Sequence, residues 1–126
     1  MVERIRRSGW LIASLAFLGA FGYLGVSNSI PQFPQATNLG QRLETIAELT
    51  YGVLALLGAG ALLAGRRWAL ILLTAWGGAA IAAAGLAATY WGQAGWGAGV
   101  AAGLSAAVVA LFVRWLAWRA LGRRTP

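Results

Sequence analysis

The stretch VLALLGAGALLAGRRWALILLTAWGGAAIAAAGLAATYW, residues 53–91, is apolar on both sides of a single arginine pair. After that pair, the 24 residues from Trp68 to Trp91 carry no charge, and a helix needs only ~20 to cross a bilayer core. Before it, uncharged sequence reaches back to Glu48, and a second span fits from about Leu43 to Gly65. Arg66 and Arg67 are thus the turn between two membrane-crossing helices.

Working outward, two more segments have the same character. GWLIASLAFLGAFGYLGV (9–26) holds 18 residues without a charge, and a fourth run extends from about Gly95 to Val113. The basic lead RIRR before the first run resembles the n-region of a signal peptide, but further apolar sequence follows its small-residue sites, so it is read as a retained span. No run alternates as a barrel strand would. The expected fold is all-α: one integral-membrane domain over 1–126, a four-helix bundle with spans at 9–26, 43–65, 68–91 and 95–113. A polar loop at 27–42 and a basic tail at 114–126 complete it.

Composition narrows the chemistry. The chain is 60% hydrophobic and 10% charged, against about 25% charged in an ordinary soluble domain. Cys, His, Asp and Lys are absent, and Met occurs once, at residue 1. Disulfides, thiol nucleophiles and the usual His and Cys ligand sets for zinc, haem and copper are thereby removed. No metal, no cofactor and no catalytic residue is expected, and the protein is not read as an enzyme. The net charge of +7 comes with long apolar runs, so it is assigned to a lipid surface rather than to nucleic acid.

Arginine placement predicts the orientation. With the N-terminus cytoplasmic, Arg4, Arg6, Arg7, Arg66, Arg67, Arg114, Arg119, Arg123 and Arg124 all fall inside, and only Arg42 falls outside. That bias predicts a bacterial inner-membrane protein with both termini in the cytoplasm. Trp10, Trp68, Trp115 and Trp118, with Arg66 and Arg67, are then inner-interface anchors; Tyr23, Tyr90, Trp91 and Trp96 mark the outer interface. Trp76 is mid-span and is expected to pack on its adjacent glycines or on a neighbouring helix.

Helix contacts are predicted from small residues. Gly95, Gly99 and Gly103 recur every four positions and form one packing face, which lets another backbone approach. Gly52, Gly58, Gly60, Gly77, Gly78 and Gly85 offer similar sites on the second and third spans. The face is assigned first to packing inside the bundle and second to a partner. Pro31 and Pro34 predict an extended or turned path through SNSIPQFPQATN (27–38).

Glu44 and Glu48 are the only acids beyond Glu3, and they sit one helical turn apart. Two structural explanations compete with a functional one. TIAE (45–48) fits a capping box in which Glu48 reaches back to a free amide. If the helix instead starts near Asn38, both acids and Tyr51 share one face. Either way they lie near a helix N-terminus, with Arg42 as a nearby counterion. The functional alternative is an ion or proton site made by Glu44, Glu48 and Tyr51, because membrane carboxylates are costly and often functional. No deeper acid continues a relay, and only Ser14, Thr50, Thr74, Thr89 and Ser105 offer hydroxyls.

The segment YGVLALLGAGALLAGRRWALILL (51–73) resembles the helix–basic turn–helix centre of small four-span bacterial membrane proteins of the DoxX-like type. That resemblance implies a four-span fold and carries no functional residue. The leading expectation is a non-catalytic accessory or scaffolding subunit. Its partners would be the lipid bilayer and other membrane-protein subunits, or a second copy of itself. The alternative is a small proton- or cation-coupled transporter or channel, followed by a phage-type pore former.

Overall fold

The computed structural model describes residues 2–92 and 95–121, with side chains from residue 9 onward. Side chains of Arg4, Arg6 and Arg7, and the whole of Arg123 and Arg124, lie outside the described residues. Four helices account for almost all of it: α1 Val2–Gln32, α2 Leu39–Leu63, α3 Ala69–Leu86 and α4 Gly95–Leu121. Each is long and apolar enough to cross a membrane, α1 over Gly9–Gln35 and α3 through Trp91. The protein is a four-helix bundle of multi-pass membrane type. Each helix packs on its sequence neighbour, and α4 returns to α1.

The arginine turn is built as a helix stop. Gly65 has φ +70°, and its N–H donates to Leu62 O at 3.0 Å while Arg66 N donates to Ala61 O at 3.0 Å. These are the two bonds of a Schellman motif, which needs a left-handed residue just past the helix. At the other end of α2, Asn38 caps: its side chain accepts from Gln41 N at 2.8 Å, and Gln41 Oε1 accepts from Thr37 N at 2.8 Å. The helix therefore starts at Leu39, and the TIAE capping box does not form. Thr45 lies inside the helix, donating to Gln41 O at 2.9 Å.

The connection expected at 27–42 is much shorter. α1 continues through Pro31 to Gln32, and a single 3₁₀ turn, Phe33–Gln35, follows. Pro31 lacks the N–H that would bond Ser27 O, so one carbonyl loses its helical partner about a turn from the end of α1. One consequence concerns Tyr23, which lies nine residues before the end of α1, ~13 Å along the axis. It faces outward within the span rather than marking its end. The basic tail is likewise helical as far as Leu121, so Arg114 and Arg119 belong to α4.

Backbone-close crossings hold the bundle. A methyl built on Gly52 would stand 2.7 Å from Val26 N and 3.0 Å from Gly22 O, and one on Gly25 would stand 2.8 Å from Gly52 Cα. Gly58 receives Leu73, and a methyl on Gly99 would stand 3.0 Å from Gly85 O and press on the Thr89 hydroxyl. A methyl on Gly103 would make ordinary contact with Ile81. The Gly99–Gly103 face therefore packs on α3 inside the bundle. Gly95 does not share it: with φ +87° it opens α4, and a methyl there would meet nothing within 4 Å.

The two ends of the bundle differ. At the basic end, Trp10 and Trp115 meet edge to face at 5.3 Å, and the Arg119 guanidinium lies 5.7 Å and 5.6 Å from their ring centres. Trp10 and Trp115 are thus joined across α1 and α4, and Trp68, Trp115 and Trp118 are all exposed. Arg114 Nε donates to Thr74 Oγ1 at 3.1 Å, tying α4 to α3. Leu18, Leu73 and Val113 are fully buried between this end and the mid-bundle Trp76. They form an apolar plug.

Candidate cation site at the acidic end of the bundle

Because α2 starts at Leu39, Glu44, Glu48 and Tyr51 fall at i, i+4 and i+7, which stacks them on one face. That face points inward: Glu44 is 3% exposed, and all three residues line the same cavity. The longer α1 then supplies a partner. With its amide nitrogen turned toward the acids, Gln32 donates to Glu48 Oε2 at 2.9 Å and to Glu44 Oε2 at 3.3 Å. This is the orientation that two acceptors demand of an amide. Arg42, the expected counterion, is exposed, and the charged group acting on Glu44 is Glu48.

A π-helical turn completes the rim. Gly92 N donates to Ala87 O at 2.9 Å, closing a five-residue step over Ala87–Trp91. Gln41 Nε2 reaches Tyr90 O at 3.4 Å, and Gly40 lies directly against the Tyr90 ring. These contacts hold the turn against the start of α2 and leave the Trp91 side chain beside Glu44, without a well-aligned hydrogen bond for its Nε1. Turns of this type are often found where a helix must re-aim a side chain at a functional position.

Beneath the acids lies a cavity of about 400 Å³. One wall is aromatic: Tyr51 stacks on Trp76 at 5.8 Å, and Phe21 lies 5.9 Å from Trp76 and 6.0 Å from Tyr51. The facing wall is alanine, from α3, the π turn and α4. Trp76 is 1% exposed, and its Nε1 has no hydrogen-bond partner among the described residues. Ser105 also lines the cavity, with its hydroxyl donating back to Ala101 O at 2.9 Å.

The chain matches no protein-family model, no curated protein and no solved structure.

The site is therefore interpreted from its own chemistry. The structure brings together the three residues predicted as an ion or proton site. It adds Gln32, Phe21, Trp76 and Trp91, which sequence reasoning missed or assigned to other roles. Four of the five hydroxyls predicted for a relay do not reach the cavity. Ser14, Thr50, Thr74 and Thr89 instead donate to carbonyls of the preceding turn. No cluster of three metal-ligating side chains occurs among the described residues.

Proposed function

We propose that this chain is a small membrane transporter or channel that takes a proton or a cation at Glu44 and Glu48. One observation carries the proposal. The two acids line a cavity shared by all four helices, and their hydrogen-bond partner there is the neutral amide of Gln32. Carboxylates inside a span are expensive to keep, and the cap that would have explained Glu48 structurally is supplied by Asn38. An acid pair held by an amide rather than by arginine retains negative charge with which to attract a positive ligand.

Flux tests this. Proteoliposomes loaded with a pH-sensitive dye should dissipate an imposed proton gradient faster than protein-free vesicles. Glu48→Gln, which keeps the shape and removes the charge, should lower that excess rate at least tenfold. If the parent protein leaks no faster than empty vesicles toward protons, sodium or potassium, the transport reading is lost.

The proposed orientation has both termini cytoplasmic in a bacterial inner membrane, supported by the nine arginines on that side of the predicted spans. In intact cells, a cysteine at Gln35 should react with an impermeant thiol reagent, while one at Arg66 should resist it. Both positions are exposed on the bundle, so burial does not confuse the result. Labelling at 66 but not at 35 would invert the topology.

A second reading, the accessory subunit, is favoured by a groove of about 740 Å³ between α3 and α4. Its rim carries the outward-facing Trp96, Val100 and Leu104, and its floor is Gly85, Gly99 and Gly103. Purification in mild detergent separates the two readings: a stoichiometric membrane partner supports the subunit, and its absence removes that support.

A further inference from the structure

We infer that the cavity takes an amphipathic organic cation: an amine-type positive head on an apolar body. The inference rests on the cation site proposed above and names what fills the space beneath it.

A proton or a bare inorganic ion would use the carboxylates and nothing else. The cavity is built for more. Its volume of about 400 Å³ lies within the range of small-molecule pockets, ~300–1,000 Å³. Past Glu44 and Glu48 the walls offer no ring of oxygen ligands that would replace the hydration shell of sodium or potassium. They offer instead the faces and edges of Phe21, Tyr51 and Trp76 on one side. Seven of the fourteen lining residues are alanines. The volume exists because methyl groups stand where larger side chains would close it, and this favours a ligand with an apolar body.

That ligand is cationic. Among the described residues no basic side chain lines the cavity, so a positive head near the acids meets no competing charge, and aromatic faces add attraction for it. A lipid acyl chain would fill the alanine side but leave the acids unanswered. An anionic headgroup would be repelled.

Benzoylcholine carries both elements: a trimethylammonium head and a phenyl body. Its neutral isostere, 3,3-dimethylbutyl benzoate, has carbon in place of the charged nitrogen. Calorimetry on the full chain in mild detergent should show benzoylcholine binding at least tenfold tighter than the isostere. Glu48→Gln and Glu44→Gln should each reduce that preference at least fivefold while leaving isostere binding unchanged, which also shows that the variants fold. Equal affinity of the two compounds, no binding of benzoylcholine, or a preference indifferent to both acid variants would each overturn the inference. Proton flux by a parent that does not bind benzoylcholine would overturn the ligand class and leave the transport reading intact. Selective binding without flux would support the ligand class and remove transport.

Discussion

Gly52→Leu should abolish the folded bundle. A Cβ at Gly52 would stand 2.7 Å from Val26 N and 3.0 Å from Gly22 O. Both neighbours are backbone, so no side chain can turn aside, and α1 and α2 must separate. Overpacking usually costs about 1–3 kcal/mol; a forced separation of two helices at their closest crossing should exceed that range. Close contact is also most of what joins helices in lipid, so little remains to offset its loss. Size-exclusion profiles and thermal unfolding in detergent would show aggregation, or a midpoint far below the parent. Gly60→Leu, where a methyl meets nothing within 4 Å, should behave as the parent does. A Gly52→Leu protein with an unchanged midpoint would mean that α1 and α2 do not cross there.

Trp76→Ala should be the most damaging truncation of a side chain. Trp76 is the largest fully buried side chain, and it joins Phe21 of α1 to Tyr51 of α2 from its place on α3. Removing a buried aromatic of this size costs about 3–5 kcal/mol in well-packed cores. Here it would also merge the vacated space with the existing cavity. Trp76→Phe separates packing from polarity. It keeps a ring against Phe21 and Tyr51 and deletes the unpaired Nε1 donor, so the ligand-free protein should lose far less than the alanine variant. If the phenylalanine variant were as unstable as the alanine one, the indole N–H would have to hold a structural partner.

The large features were legible because they follow from charge and periodicity. Uncharged runs of helix-spanning length gave the four helices, and the spacing of Glu44, Glu48 and Tyr51 gave their common face. Gly99 and Gly103 were readable as an internal contact from their interval of four. Other features were hidden by misleading local signals. Pro31 argued for a loop, so Gln32 was not considered as a helical residue able to reach the acids. The sequence left two starts open for α2, a capping box at Thr45–Glu48 and an earlier start near Asn38, and Asn38–Gln41 is the pair that caps, at the same spacing seven residues earlier. Gly19, Gly22 and Gly25 recur every three residues in the first span and were available as a clue to the α1–α2 crossing. The π turn had no such clue. It depends on how Tyr90 seats on Gly40, a contact between residues fifty positions apart, and nothing in the composition of AATYW announces it.

The Trp10–Trp115 contact sets an order of events during synthesis. About 100 residues separate the two rings, so at ~5–20 residues per second the first helix waits roughly 5–20 s for the last. Until α4 arrives, the alanine wall from Ala102 to Ala110 is missing and the cavity has no fourth side. The acids of α2 then face an open flank of a three-helix intermediate, and a carboxylate exposed to lipid inside a span is costly. Arg119, sitting across both tryptophans, arrives within the last turn of α4. The bundle is therefore sealed only when its fourth helix is inserted, and a nascent chain released before that point would carry its acid pair unsheltered on the membrane.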